Sequence, residues 1–239
     1  MSQPGHGALM ALPANAALLL DLDGTLLDIA PTPDAVVVPP DLPVSLRRLR
    51  GALGDALAIV TGRPLAQIDA LLPGIPYAVA GEHGGAIRHA PGGAVERPDL
   101  PETPLGWQAQ AEALVALHPG TLFEPKSRGF VLHYRLNAPA GPALHAGLQA
   151  LMGDDADYAL MPAHMAWEVK PRGADKGRAV AALMARPPFA GRVPVVVGDD
   201  VTDEDGMRVA RAMGGIGLRV QDHFTDAAGV RAWLAGLRP

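Results

Sequence analysis

The sequence predicts an α/β protein with a doubly wound, Rossmann-like parallel-sheet core and an inserted α+β cap domain. Two observations predict the core: short apolar runs recur along the chain, and segments with helical spacing separate them. The apolar runs are continuous rather than alternating, so we expect strands buried on both faces, as in a parallel sheet. A third observation predicts the cap: the middle of the chain pairs two helical segments with two hairpins.

The core strands are predicted where apolar runs end at turn or charged residues, at 16–20, 56–60, 77–81 and 193–198. Helices are predicted between them at 41–53 and 64–72. A later helix, at about 174–185, begins with Asp175, a residue type that often caps helix N-termini. Strands that alternate with helices indicate a doubly wound sheet.

The middle of the chain predicts a separate α+β layer. Helices are expected within 103–118 and 138–153, and hairpins within 121–137 and 158–171. The first hairpin should turn near Ser127 to Gly129, and the second near Ala163 to His164. We therefore place a cap domain at 87–170, inserted into a discontinuous core domain at 1–86 and 171–239.

Composition excludes several classes of protein. The chain has 239 residues, of which 49% are hydrophobic and 19% charged, which indicates a folded globular protein. A formal net charge of −5 gives no reason to expect nucleic acid or an anionic membrane as a partner. The sequence has no cysteine, which excludes disulfides and fits a cytoplasmic protein. The N-terminal region lacks the basic residues of a signal peptide before its apolar part. We expect a monomer.

The run "AALLLDLDGTLLD" at 16–28 raises the question of function. It places Asp21 and Asp23 directly behind a buried strand, although two carboxylates about 4 Å apart repel by roughly 4 kcal/mol at an effective dielectric near 20. Ligands of open parallel sheets bind beyond the carboxyl ends of the strands. Other polar residues that follow apolar runs or begin a helix should meet at that edge. They are Thr61, Lys176 and the acids Asp199, Asp200 and Asp203.

A divalent cation would offset the repulsion among five clustered acids. Oxygen ligands without nearby His or Cys favour Mg²⁺. An EF-hand loop is the main alternative for "DLDG", but its required Gly and Glu positions are Leu26 and Thr32 here. Solvated turn acids are the other alternative, which their joint occurrence behind strands disfavours.

Such an edge suits hydrolysis of a phosphate monoester through a covalent aspartyl phosphate. Asp21 would attack phosphorus, and Asp23 would act as general acid and then as general base. Thr61 and Lys176 would stabilise the phosphoryl oxygens, and Asp199 would help to hold the metal. Gly24 would allow a tight turn beside the phosphate.

In this order, "DLDGT", "VTGR", "ADKG" and "GDDVTDED" resemble the four motifs of the haloacid-dehalogenase-like phosphohydrolases. The resemblance implies Asp21 as nucleophile and Asp23 as acid and base. It also implies Mg²⁺ held by Asp21, the backbone carbonyl of Asp23, and Asp199. Asp200 and Asp203 would support the site from behind.

The segments "GEHGG", "FEPKSRGFVLHYR" and "WEVKPRGADKG" resemble the trehalose-6-phosphate phosphatase family, over most of the chain from Leu18 to about Asp205. This resemblance implies hydrolysis of trehalose 6-phosphate, with cap residues such as Glu124, Lys126 and Glu168 bound to sugar hydroxyls. The full set of implied substrate-binding residues is Gly24, Gly62, Arg63, Glu82, His83, Glu124, Lys126, His133, Arg135 and Glu168.

Several alternatives stay open. The charges of the hairpins could simply be solvated, and His83 could be an ordinary loop residue. Another capped phosphatase, for sucrose phosphate or mannosyl-glycerate phosphate, would share the same core. A phospho-accepting receiver domain is disfavoured, because it needs no general acid such as Asp23 and carries no inserted layer. A sugar-binding protein with an inactive site is disfavoured, because all the acids are present.

Overall fold

The computed structural model describes residues 11–238, and the part of the signal-peptide prediction that concerns residues 1–10 lies outside them. The strands are β1 (Ala16–Leu20), β2 (Leu57–Val60), β3 (Ala78–Gly81), β4 (Ala86–Arg88), β5 (Val95–Glu96), β6 (Leu122–Lys126), β7 (Gly129–His133), β8 (Tyr158–Ala163), β9 (Ala166–Pro171), β10 (Val193–Gly198) and β11 (Ile216–Arg219). The helices are α1 (Asp41–Ala52), α2 (Leu65–Leu71), α3 (Trp107–Ala116), α4 (Gly141–Met152), α5 (Lys176–Met184), α6 (Val201–Ala212), α7 (Val220–His223) and α8 (Ala227–Gly236).

The chain divides into two units, each with its own sheet. The first contains the described residues up to Ile29, together with Val36–Glu96 and the residues from Asp175 onward. The second contains Ala30–Ala35 and Arg97–Ala174. The domain bounds that the sequence predicts, at 86 and 171, stay a prediction.

The first unit is built on a seven-stranded sheet in the order β11-β10-β1-β2-β3-β4-β5. The strands from β11 to β3 are parallel, and β4 and β5 continue the sheet in the antiparallel direction. The five residues of the central strand β1 are all fully buried. A continuous apolar strand is expected where helices cover both faces of a sheet, so the predicted fold class is confirmed.

Successive residues of β1 supply the two faces of this sheet with separate hydrophobic cores. Leu18 and Leu20 pack into one core with residues of α1, α2 and α8. Ala17 and Leu19 pack into the other with residues of α5 and α6. The period of two along the strand thus places helices on both sides of the sheet, which is the doubly wound arrangement.

The hairpin of β4 and β5 extends the sheet of the first unit. The predicted cap began at residue 87, because strands as short as β4 and β5 produce no clear pattern in the sequence. In the structure, Ala80 pairs with Ile87, and Ile87 pairs with Glu96. The strands therefore belong by pairing to the parallel core sheet, as its antiparallel edge.

The second unit has a four-stranded antiparallel sheet in the order β6-β7-β9-β8. The β6–β7 hairpin turns between Lys126 and Gly129, and the β8–β9 hairpin between Ala163 and Ala166, which confirms both predicted hairpins. One face of the sheet carries Phe130, Leu132 and Val169, which form a core with residues of α3 and α4. The opposite face carries most of the charged residues of these strands. Among the described residues, no helix is long and apolar enough to cross a membrane.

Candidate active site

Three neighbouring strands bring the predicted catalytic residues of the first unit to one edge. Leu20, at the end of β1, is in register with Val197 of β10 and Ile59 of β2. The residues that follow these strands therefore leave the sheet side by side at its carboxyl edge, where ligands of such sheets bind. Asp21 follows β1 directly and is only 5% exposed.

Lys176 joins the carboxylates of Asp21 and Asp203. Its Nζ lies 2.7 Å from Oδ1 of Asp21 and 2.6 Å from Oδ1 of Asp203. Lys176 is the first residue of α5, and the carboxylate of Asp175 caps that helix by accepting from the Arg178 amide, as predicted. The N-terminus of α5 thus fixes the position of Lys176, whose ammonium contacts Asp21, the candidate nucleophile.

Asp199 follows β10 and packs against the turn behind β1. The Thr25 hydroxyl lies 3.3 Å from Oδ1 of Asp199 and donates to it. Gly24 has a φ of +75°, and a Cβ added there would stand 2.2 Å from Oδ2 of Asp199. Gly24 was predicted to contact substrate, and in the structure it leaves the space that the Asp199 carboxylate fills.

Asp200 and Asp203 form a capping box at the start of α6. The Asp203 carboxylate accepts from the Asp200 amide at 3.0 Å, while the Asp200 side chain accepts from the Val201 amide. Asp203 is thereby held between a helix N-terminus and Lys176, and it is buried. The helix dipole favours the negative charge of both residues.

Electrostatics show that this edge carries more negative charge than Lys176 balances. Burial, then the charge of Asp203, raises the pKa of Asp21 well above its ordinary value. Burial and Asp203 likewise raise the pKa of Asp199 to about 6. Burial opposes the charged form of Lys176, but the carboxylates of Asp203 and Asp21 outweigh it and raise the lysine pKa.

The donor set at this edge fits a hard divalent cation. Carboxylate oxygens of Asp21, Asp199 and Asp203 lie within 4.8 Å of one another. Oxygen donors alone suit Mg²⁺ or a similar ion better than a soft metal. Both oxygens of Asp203 already accept hydrogen bonds, Oδ1 from Lys176 and Oδ2 from the Asp200 amide, whereas Lys176 contacts Asp21 through Oδ1. Asp21 and Asp199 are therefore the side chains best placed as ligands.

Asp23 turns its carboxylate toward Arg63 rather than toward the other acids. Arg63 Nε lies 2.6 Å from Oδ2 of Asp23, and Nη2 lies 2.8 Å from Oδ1. Arg63 comes from the "VTGR" segment after β2 and is 8% exposed. Sequence analysis assigned Arg63 to the substrate, whereas the structure pairs it with the candidate acid.

Thr61 and His83 hold two loops of the edge together. Thr61 is buried, its hydroxyl oxygen lies 3.3 Å from the Arg63 amide that donates to it, and its carbonyl accepts from the His83 amide at 3.0 Å. This use of the hydroxyl oxygen as acceptor does not consume its proton, which suits the predicted donor role. A Cβ added at Gly62 would lie 2.7 Å from Nε2 of His83, so glycine permits the close approach of the ring.

Glu82 and His83 themselves adopt left-handed backbone conformations, with φ of 52° and 54°. Residues other than glycine adopt this region uncommonly, although Asn, Asp and His do so more often than the rest, and such conformations persist only where surrounding structure requires them. The Glu82 amide donates to the Arg63 carbonyl at 3.0 Å, so this turn is tied to the loop after β2.

In the second unit, Glu124, Lys126 and His133 form a charged cluster on one face of the sheet. Lys126 Nζ lies 2.7 Å from Oε1 of Glu124, and Nε2 of His133 lies 2.8 Å from Oε2. Burial opposes the charged form of Glu124, but the His133 hydrogen bond and the nearby Lys126 lower its pKa to about 2. This geometry disfavours the alternative of independently solvated hairpin charges.

Glu168 lies on the same face of this sheet. Glu124 pairs with Val131, and Val131 pairs with Glu168, so the two glutamates face the same side across three strands. Glu168 is 7% exposed. Arg135 lies beyond β7, and its guanidinium donates to the His164 carbonyl at the second hairpin turn, so the strands do not bring it into the cluster.

Comparison with known proteins decides the family. The model of the family described as trehalose-phosphatase matches residues 19–228. A probable trehalose-phosphate phosphatase of Sinorhizobium fredii is 43% identical over 207 residues, which cover 86% of this chain and 78% of that protein.

The chain belongs to the trehalose-phosphatase family.

Two further relatives agree with this family. The trehalose-6-phosphate phosphatase of Escherichia coli is 37% identical over 91% of this chain and 82% of that protein. The C-terminal domain of the Candida albicans (C. albicans) trehalose-6-phosphate phosphatase has the same fold, with a TM-score of 0.76 over 95% of this chain and 94% of that chain at 20% identity. The predicted family resemblance is confirmed. As a member of the trehalose-phosphatase family, the protein is a phosphoric monoester hydrolase.

The structure of this trehalose-phosphatase family member also contains polar residues that sequence analysis missed. Thr25 and Gln67 were overlooked because their partners, Asp199 and Arg63, come from other elements. Lys170 was overlooked although it lies two residues after Glu168 on β9 and therefore on the same face. The period-two rule that placed Glu124 and Lys126 together could have found it.

Proposed function

We propose that this chain hydrolyses trehalose 6-phosphate to trehalose and inorganic phosphate through an aspartyl phosphate on Asp21. The observation that carries the proposal is the buried Asp21 carboxylate at a strand end, held by Lys176 at 2.7 Å beside Asp199. The names of the relatives at 43% and 37% identity support the substrate.

In the first step, a carboxylate oxygen of Asp21 attacks phosphorus while the bond from phosphorus to the sugar oxygen breaks. Asp23 gives its proton to the departing sugar oxygen, which leaves as a neutral alcohol. The Thr61 hydroxyl donates to a phosphoryl oxygen, and Lys176 keeps the attacking carboxylate in place.

In the second step, water attacks the phosphorus of the aspartyl phosphate and gives a proton to Asp23. The bond between phosphorus and the Asp21 oxygen breaks, which releases inorganic phosphate and restores the carboxylate. Asp23 thus returns to the protonated state with which the cycle began, and atoms and charges balance over the two steps.

Mg²⁺ is the proposed cofactor, with Asp21 and Asp199 as side-chain ligands and the Asp23 carbonyl as a third. Bound there, it would neutralise negative charge shared by the phosphate and the acids. The raised pKa values of Asp21 and Asp199 support a cation, because a bound cation would offset both of their causes, which are burial first and then the nearby negative charge of Asp203.

The charged cluster of the second unit supports a sugar as the leaving group. Paired carboxylates and an ammonium offer both acceptors and donors, which the hydroxyls of a disaccharide can satisfy. We propose that Glu124, Lys126 and Glu168 bind those hydroxyls. Such a site discriminates strongly, because its buried polar groups stay unpaired with the wrong ligand.

A phosphate-release assay tests the proposal. Trehalose 6-phosphate, sucrose 6-phosphate and mannosyl-glycerate phosphate are each offered with Mg²⁺ and with EDTA. We expect fastest release from trehalose 6-phosphate and loss of release in EDTA. We also expect Asp21→Asn to remove turnover by at least about 10³-fold, since no carboxylate remains to attack.

The exposed Asp154 provides a matched control, because Asp154→Asn makes the same chemical change outside the site. Turnover by folded Asp21→Asn at the wild-type rate would rule out the covalent mechanism. Stoichiometric labelling without turnover in the wild-type protein would instead indicate a receiver domain, and a preference for another sugar phosphate would reassign the substrate.

A further inference from the structure

We infer that Arg63 is a positioning residue that fixes the Asp23 carboxylate for both proton transfers of the reaction. The inference rests on the proposed function, in which Asp23 protonates the leaving group and then activates water. It replaces the direct substrate contact that the sequence resemblance implied for Arg63.

The contact between the two side chains is bidentate. Arg63 Nε and Nη2 lie 2.6 Å and 2.8 Å from the two oxygens of Asp23. Two parallel hydrogen bonds from a planar guanidinium define the plane of the carboxylate, which one bond from an ammonium would not. The Asp23 side chain is 36% exposed and that of Arg63 is 10% exposed, so the acid stays accessible while its anchor is covered.

Arg63 is itself fixed from two sides. Its Nη1 donates to Oε1 of Gln67, one turn along α2, at 2.9 Å. Its carbonyl accepts from the Glu82 amide at 3.0 Å, and a Cβ added at Gly81 would lie only 2.7 Å from that carbonyl oxygen. The end of β3 therefore holds the Arg63 backbone and the start of α2 holds the guanidinium before any substrate binds.

The Arg63 contact leaves Asp23 able to exchange a proton. Each carboxylate oxygen has two lone pairs, and Arg63 occupies one on each oxygen. A remaining lone pair holds the proton that passes to the sugar oxygen as its bond to phosphorus breaks. The same position accepts a proton from water as the new bond between oxygen and phosphorus forms, so both steps need one carboxylate orientation.

Arg63→Ala tests this with two substrates that lack sugar hydroxyls. Phenyl phosphate releases a weakly acidic phenol whose oxygen needs protonation as it leaves, whereas p-nitrophenyl phosphate releases a more acidic phenol that can leave as its anion. General acid catalysis contributes about 10²- to 10⁴-fold, and we expect loss of orientation to remove part of it. The expected result is a fall in kcat/KM of about 10- to 100-fold for phenyl phosphate and less than about 3-fold for p-nitrophenyl phosphate.

The second proton transfer gives a separate readout. Hydrolysis of the aspartyl phosphate is common to all substrates and needs Asp23 as a base. We therefore expect kcat for p-nitrophenyl phosphate to fall in Arg63→Ala although its kcat/KM is nearly unchanged. Arg63→Lys should behave like Arg63→Ala, because an ammonium cannot form both bonds, and added guanidinium ion should partly restore Arg63→Ala.

Arg88→Ala is the matched control, because Arg88 binds both carboxylate oxygens of Asp69 in the same unit, at 2.8 Å and 2.5 Å. It should leave the ratio of the two substrates unchanged. Equal losses of kcat/KM on both aryl phosphates in Arg63→Ala would overturn the inference in favour of a purely structural role. A loss confined to sugar phosphates would overturn it in favour of direct substrate contact, whereas failure of the proposed function would appear as inactive wild-type protein.

Discussion

At the scale of single residues, Asp199 links proton binding to stability in the metal-free protein. Burial and Asp203 raise its pKa to about 6 in the folded state, from a model-compound value of 3.8. A raised carboxyl pKa means that the folded state prefers the protonated form. The stability that the Asp199 pKa shift gives the folded state is therefore fully present below about pH 3.8, and it is lost as the pH rises to about 6.

The corresponding prediction concerns Asp199→Asn without metal. We expect the free energy of unfolding of wild-type protein in EDTA to decline relative to that of the variant between about pH 4 and about pH 6, because asparagine takes no charge. Urea titrations at several pH values measure the difference. Identical pH dependence in the two proteins would mean that the Asp199 pKa is not raised.

At the scale of secondary structure elements, the sheet of the second unit separates stability from recognition. Its two faces alternate along each strand: Phe130 and Leu132 enter the core, while Val131 and His133 lie on the face that carries Glu124 and Glu168. Substitutions on the charged face should therefore affect binding without removing core packing.

Lys126→Ala and Glu168→Ala test this separation. Losing one charged hydrogen-bond partner removes about 1.5 to 3 kcal/mol, so kcat/KM for trehalose 6-phosphate should fall by roughly 10- to 100-fold. Hydrolysis of a small aryl phosphate should change little, since it has no sugar to bind. Arg172→Ala, which removes an exposed cation from the same unit, serves as the control.

Two other outcomes would contradict the assignment of this face. Parallel losses on both substrates would show that Lys126 and Glu168 support the fold or the chemistry instead. Unchanged kinetics on both would return them to ordinary surface charges and remove the main physical support for sugar recognition by the second unit.

At the scale of the whole molecule, metal binding should appear as a gain in stability. A cation that binds only the folded state stabilises it by about 2.7 kcal/mol at one hundred times its dissociation constant. We expect Mg²⁺ to raise the Tm of the wild-type protein and to have little effect on Asp199→Ala. Differential scanning calorimetry with a magnesium titration measures this, with Asp154→Ala as a control at an exposed acid.

A shift of equal size in Asp199→Ala and wild type would place the ion elsewhere. Full activity after exhaustive chelation would remove the cofactor from the proposal altogether. The two results are separable, because the calorimetric shift does not depend on turnover.

The sequence by itself determined the fold class, the strand ends and the hairpins. Strand β1, the cap residue Asp175 and the turn between Lys126 and Gly129 follow from patterns within a few residues, because burial period and capping are local properties. The segments "GEHGG", "FEPKSRGFVLHYR" and "WEVKPRGADKG" were likewise sufficient to predict the family.

Only the tertiary structure decided which side chains meet. Arg63 reaches Asp23 across 40 positions, and Thr25 reaches Asp199 across 174, because β2 and β10 flank β1 in the sheet. It also decided that the β4–β5 hairpin joins the core sheet, since two strands this short carry no period of their own. Such contacts depend on strand order and register, which arise from packing of the whole sheet rather than from any one segment.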